Sequence, residues 1–277
     1  MEQQYAREKL LTTPQQLENK IGAANLCLID VRPAEEFARE HIPGAVHFDL
    51  FGLSLVDTSE APLKAFMHMI HHVLELRGVS ADKEVVFYEE NSGMRAARGL
   101  WFLHYYGHPN VKMLDGGFQA WKAAGALITS EAMPPKPTAF KVTERYDVLA
   151  TADDVLHSLN QKQVAILDTR SKGEYLGTHV RAARGGAIPG AIHIEWTDNL
   201  DADGKFKSSA DLKAMYDKAG ITSDKEVISY CQGGYRAAHS YVALRLLGFA
   251  KVRNYIGSWK EWGDRADLPV EIPKSSK

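Results

Sequence analysis

The amino-acid sequence repeats itself once, at an interval of about 140 residues, and this repeat constrains the fold more than any other feature. Residues 13–32, TPQQLENKIGAANLCLIDVR, align without a gap on residues 151–170, TADDVLHSLNQKQVAILDTR. Thr13 falls on Thr151, Asp30 on Asp168 and Arg32 on Arg170. IPGA at 42–45 recurs at 188–191, with eight more residues before the second copy, in a stretch that includes Arg181 and Arg184. Arg95-Ala96-Ala97 recurs as Arg236-Ala237-Ala238, and Gly107, Gly116 and Trp121 recur as Gly248, Gly257 and Trp262. An interval this long is a domain rather than a solenoid unit. The 277 residues therefore read as a duplicated domain, with copies at 1–130 and 147–277. The segment 131–146 between them carries Pro134, Pro135 and Pro137, which stiffen a linker and exclude a helix.

Each copy shows the same local pattern. Thr13 and Thr151 are placed as helix N-caps, with Gln16 and Asp154 three residues on. LCLID and VAILD are short runs with apolar residues on both faces, the mark of strands buried on both sides. VVFY (85–88) and VISY (227–230) each lead into a glycine-containing loop and then a helix, and Gly248 suits the residue after a helix end. Alternating strands and helices predict an α/β fold, with a parallel sheet flanked by helices in each copy.

Charge and composition narrow the function. Lys and Arg number 33 against 35 Asp and Glu, a net charge of −2, which excludes a generally basic nucleic-acid binder. No apolar run reaches the length of a membrane span, and the N-terminus does not read as a signal peptide. The two cysteines, Cys27 and Cys231, make no disulfide framework, so a reducing cytoplasm is the expected setting. No zinc-type cysteine cluster occurs, and no metal or organic cofactor is expected. His68 and His72 have the spacing of two ligands on one helix face, with Glu75 as the one nearby third group, but read as an ordinary helix face.

Cys231 follows VISY directly and opens the loop Cys231-Gln232-Gly233-Gly234-Tyr235-Arg236, ahead of a helix. Ligands of open α/β sheets bind beyond the carboxyl ends of strands, near helix N-termini. The paired glycines let several N–H groups converge, and those donors with Arg236 would stabilise a thiolate. Counting back from the matched arginines puts Glu90 opposite Cys231, in a first-copy loop one residue longer. A carboxylate cannot carry sulfur, so the first copy reads as inactive. Cys27, within a buried-looking strand, reads as inert.

These residues resemble the rhodanese superfamily, specifically the tandem sulfurtransferases with an inactive first and a catalytic second domain. The resemblance covers nearly the whole chain. It rests on the DVR and DTR strand ends, the IPGA segments, the C-x4-R loop and the closing segment from Val252 to Trp262. Ile256 and Ala187 depart from the family pattern. The resemblance implies that Cys231 attacks a donor such as thiosulfate and passes the sulfur from a persulfide to cyanide or a thiol. It implies that amides from Gln232 through Gly233, Gly234 and Tyr235 to Arg236 cradle that sulfur. Arg236 would hold the donor's oxyanion or brace the loop. Arg170 would bind substrate, or pair with Asp168 or Glu174. The implied partners are a small-molecule sulfur donor and acceptor, a thiol protein being a further acceptor. Mercaptopyruvate as donor and a persulfide-carrier role are the alternatives. Cysteine phosphatases have a loop one residue longer, so that chemistry ranks low.

Overall fold

The computed structural model describes residues 2–274. They form two compact units. The first holds the residues up to Leu53, Met67–Arg145 and Leu200–Lys207. The second holds Ser54–Phe66, Tyr146–Asn199 and the residues from Ser208 on. The units therefore exchange segments: a stretch of each half of the sequence belongs to the other half's unit. The sequence repeat does not announce this exchange, because 54–66 and 200–207 lie outside the matched anchors.

The first unit is built on a parallel sheet of β1 (Leu11–Thr12), β2 (Leu26–Asp30), β3 (Val46–His47), β4 (Glu84–Tyr88) and β5 (Val111–Leu114), in the order β1-β5-β4-β2-β3. The second has β6 (Leu149–Ala150), β7 (Val164–Asp168), β8 (Ile192–His193), β9 (Glu226–Tyr230) and β10 (Val252–Tyr255), in the equivalent order β6-β10-β9-β7-β8. Helices flank each sheet, as the alternation of elements predicts. Both predicted N-caps close reciprocal capping boxes, Thr13 with Gln16 and Thr151 with Asp154. Each such cap is worth about 1 kcal/mol. Among the described residues no helix is long and apolar enough to cross a membrane.

The two cores use matched positions. Leu17, Leu28, Ile42, Val86, Phe118 and Trp121 cluster in the first unit. Val155, Ile166, Ile188, Ile228, Trp259 and Trp262 cluster in the second. The repeated DVR and DTR ends have the same physical job in both. Asp30 pairs in register with Tyr88, and Asp168 with Tyr230. The Arg32 guanidinium bonds Asp30 and the Glu40 carbonyl and lies 3.8 Å from the centre of the Phe118 ring. The Arg170 guanidinium bonds Asp168 and the Gly186 carbonyl and lies 4.4 Å from that of Trp259. The amide of Ile42 donates to the Tyr88 hydroxyl and that of Ile188 to the Tyr230 hydroxyl, both at 3.1 Å. Each arginine thus ties the strand end to the segment preceding IPGA. Buried charges persist only when paired in this way.

Candidate functional site

The site grows from the carboxyl end of β9. Tyr230 is held by Asp168, to which its hydroxyl donates at 2.5 Å, and the next residue is Cys231, 1% exposed. Gly234 has φ +83°, a backbone that L side chains rarely adopt, and it turns the chain into the helix Tyr235–Leu246. That turn aims the Gly234 N–H at Cys231 Sγ, 3.1 Å away. Burial by itself pushes a thiol up. Here the Arg236 charge and the amides of Ala237, Gly233 and Arg236 outweigh it, and the Cys231 thiol lies below its ordinary value. Cys27 has only Lys83 to oppose burial and is pushed up to about 11, the inert thiol expected of its strand.

The loop is clamped from the helix Ser258–Asp264. The Cys231 amide donates to Ser258 Oγ at 3.1 Å, and Ser258 in turn donates to the Tyr255 carbonyl at 2.7 Å. The Trp259 amide donates to the Cys231 carbonyl at 2.9 Å and the Lys260 amide to that of Gln232 at 3.0 Å. Ser258 has φ +54°, whereas the first unit places Gly117 at the matching position with φ +58°. A serine in this region carries strain of order 1 kcal/mol that glycine avoids. Its hydroxyl is the acceptor that the Cys231 amide uses. Sequence reasoning missed Ser258; the signal was the serine standing opposite a glycine.

Arg236 is turned to Glu174. Its two terminal nitrogens donate to the carboxylate at 2.6 and 2.9 Å, a bidentate pair with side-chain exposures of 12% and 3%. Glu174 also closes a capping box with Ser171. Burial would raise its carboxyl, but Arg236, followed by Ser171, outweighs burial and holds it down at about 2. Burial by itself would lower the Arg236 guanidinium, but the pairing with Glu174, helped by Cys231, outweighs it and raises it.

The other residues of the second loop and its surroundings, and those singled out elsewhere, divide. Gln232 donates through Nε2 to the Arg181 carbonyl at 2.8 Å. Gly233 and Tyr235 are buried in the loop. Arg181 is half exposed, with its guanidinium 3.6 Å from Glu174, so it stands beside the Arg236 pair. Arg184 faces elsewhere: it donates to the carbonyls of Trp262, Gly263, Arg265 and Leu268 and caps the end of the last helix. Arg170 takes the ion-pair alternative with Asp168, at 1% exposure. Arg32 makes the same contacts in the unit without a loop thiol, so this arrangement belongs to the scaffold. Arg95 lies over the Phe51 ring. Trp196 is half-buried, edge to face with His239. His68 is exposed, and His72 approaches Glu75 at 3.8 Å.

The counterpart of Cys231 is corrected by the structure: it is Glu89, not Glu90. Glu89 directly follows Tyr88 as Cys231 follows Tyr230. The Phe118 amide donates to its carbonyl, as Trp259 does to that of Cys231. The extra residue of the first loop falls after this point, so counting back from the helix shifts the pairing by one. Glu89 Oε1 accepts the amides of Arg95 and Ala96, the donors of the matching helix N-terminus.

Both units match the rhodanese-like domain, at residues 13–124 and 151–265. The chain belongs to the rhodanese family. Among its relatives is a thiosulfate sulfurtransferase of Pseudomonas aeruginosa, 34% identical across 95% of this chain and 97% of that one. A thiosulfate sulfurtransferase of Azotobacter vinelandii is 32% identical across 97% and 99%. The sulfur carrier protein TtuD of Thermus thermophilus is 39% identical across 72% and 74%. An anaerobic ergothioneine biosynthesis enzyme from Chlorobium limicola, solved with trimethyl histidine, shares the fold. Its TM-score is 0.86 at 22% identity, covering 97% of this chain and 70% of that one. This rhodanese is a sulfurtransferase.

Proposed function

We propose that this rhodanese is a thiosulfate sulfurtransferase with Cys231 as its nucleophile. The Cys231 thiolate attacks the outer sulfur of thiosulfate. The S–S bond of the donor breaks, sulfite leaves with its electron pair, and Cys231 retains a persulfide. Cyanide or a thiolate then attacks the terminal sulfur and regenerates the Cys231 thiolate, so charge and atoms balance without a redox partner. The amides of Gln232, Gly233, Gly234, Tyr235 and Arg236 cradle the anionic terminal sulfur, an arrangement that favours charge developing there. Arg236 supplies the cation, and Glu174 aims it. Arg170 serves the scaffold in this reading rather than the substrate.

The observation that carries the proposal is the Gly234 amide on Cys231 Sγ beside Arg236, present in one copy of the duplicated fold and replaced by a carboxyl in the other. Incubation with thiosulfate followed by mass spectrometry of the peptides is the test. One added sulfur on the Cys231 peptide is expected, and an unmodified peptide overturns the reading. A second reading, a carrier that hands its persulfide to a thiol protein, draws support from the similarity to TtuD. It predicts loading of Cys231 with slow discharge to cyanide. Mercaptopyruvate as donor predicts faster loading from that compound than from thiosulfate.

A further inference from the structure

The catalytic loop is clamped by the helix Ser258–Asp264, and that helix is itself held from an unexpected direction. Glu261 lies one turn along it and is 2% exposed. Its carboxyl accepts the Thr58 amide at 2.7 Å, the Thr58 hydroxyl at 2.9 Å from each oxygen, and the Tyr255 hydroxyl at 2.8 Å. Thr58 is 5% exposed and belongs to Ser54–Phe66, the piece of the first half of the sequence that lies in the second unit. Its hydroxyl also accepts the Ala152 amide at 2.9 Å. Packing is tight enough that a Cβ on Gly257 would fall 1.9 Å from Glu261 Oε2 and 2.9 Å from Thr58 Cγ2. At the start of the same segment, Ser54 Oγ lies 3.0 Å from where a Cβ of Gly233 would stand. Residues 54–58 therefore touch the cradle at Gly233 and grip the clamp helix at Glu261.

The matching position in the first unit argues that this is not a general need of the fold. There Ala120 stands where the second unit has Glu261. The copy without a loop thiol does without the anchor. A buried carboxyl with several donors is costly to strip of any of them, so loss of the Thr58 hydroxyl would disturb how Glu261 is held.

We infer that Thr58 is a positioning residue for the sulfur-transfer site. It acts through Glu261 to fix the helix whose first turn holds the Cys231 backbone, and so keeps Cys231 Sγ within the converging amides. The inference rests on the reading of Cys231 as the nucleophile. Thr58 is uncharged, and Arg236 and Glu174, the charges next to the thiol, are untouched by its replacement. A change in thiol titration in a Thr58 variant therefore reports geometry.

The experiment measures alkylation of Cys231 by iodoacetamide against pH, beside steady-state thiosulfate kinetics, in the full chain. Thr58→Val keeps the shape and removes the hydroxyl donor. Its alkylation midpoint is expected to rise by about one pH unit, as amides leave the thiolate. Its kcat is expected to fall about tenfold with little change in KM, as for a group acting on the reacting atom rather than on binding. Thr58→Ser restores both. An unchanged midpoint in Thr58→Val, even with a lower melting temperature, makes Thr58 merely structural and overturns the inference. Should Thr58→Val fail to fold, Glu261→Gln carries the test, and an unchanged midpoint there has the same consequence. Failure of wild-type Cys231 to take up sulfur from thiosulfate would sink the functional reading instead, and leave the titration comparison standing.

Discussion

The loops that follow β4 and β9 start from the same strand end and finish at the same helix turn, yet they hold different groups. After β9, Cys231 presents a thiol to the Gly234 amide, and Arg236 keeps that thiol low. After β4, Glu89 fills the equivalent place with a carboxyl that accepts the Arg95 and Ala96 amides. Gly93 lies so close that a Cβ there would meet Glu89 Oε1 at 2.4 Å. The cradle of amides is thus a property of the fold, kept in both units. In one unit it faces a thiol, and in the other it is satisfied by the unit's own acid. Arg32 and Arg170, which make the same contacts in both, belong to the common frame. Arg236, Glu174 and Ser258 belong to the difference.

The sharpest way to break this comparison is to remove the thiol. Cys231→Ser leaves the amides and Arg236 in place but offers an oxygen that cannot carry sulfane sulfur. Turnover with thiosulfate should drop below detection, and no sulfur should be found on the protein. Cys27→Ser should keep wild-type rates. Retained turnover in Cys231→Ser would show that the difference between the loops is not the seat of activity.

Arg236 and Glu174 give the next largest effect. Arg236→Ala should lower kcat/KM for thiosulfate ten- to a thousandfold, about 1.4–4 kcal/mol, the range for a charge-assisted contact in a partly dry pocket. Arg236→Lys should recover part of this, since an ammonium cannot make the bidentate contact. Glu174→Gln leaves the cation and weakens its aim, so kcat should fall about tenfold while KM does not rise. A neutral persulfide donor separates the roles of Arg236. A loss confined to thiosulfate means that Arg236 meets the donor's anion, and an equal loss with both donors means that it braces the loop.

How much of this could be read from the sequence depended on whether one residue had one job. The repeated strands, the capping threonines and the loop thiol were legible because each follows a local rule of spacing or chemistry. Ser171-Lys172-Gly173-Glu174 is readable as a capping box, but nothing local says that the same carboxyl also pairs with Arg236, 62 residues away. Counting back from the helix gives Glu90 rather than Glu89, because the extra residue of the first loop lies between the strand end, which fixes the geometry, and the helix. The exchange of 54–66 and 200–207 between units was invisible, since segment membership is set by packing and leaves no periodic trace.

The smallest effect, one on stability rather than on turnover, comes from the acid of the first loop set against Glu174. Burial pushes the Glu89 carboxyl up from its ordinary 4.5 to about 7, against the Arg95 and Ala96 amides and the Arg95 charge. Glu174 moves the other way, to about 2, because Arg236 outweighs burial. The stability signs are opposite. A raised carboxyl binds its proton more tightly when folded, so its contribution is complete below about 4.5 and is lost as pH rises through about 7. A lowered one contributes above about 4.5 and loses that contribution as pH falls through about 2. Glu89→Gln keeps a carbonyl oxygen for the amides and removes the charge. In a Cys231→Ser background, reaction of the buried Cys27 with a thiol reagent reports unfolding of the first unit. Its stability to urea should match in both proteins near pH 4 and should be higher for Glu89→Gln near pH 8, by up to about 3 kcal/mol. Equal stability at both pH values would mean that the acid in the first cradle carries its charge without cost. The two loops would then differ in chemistry alone and not in how they bear an anion.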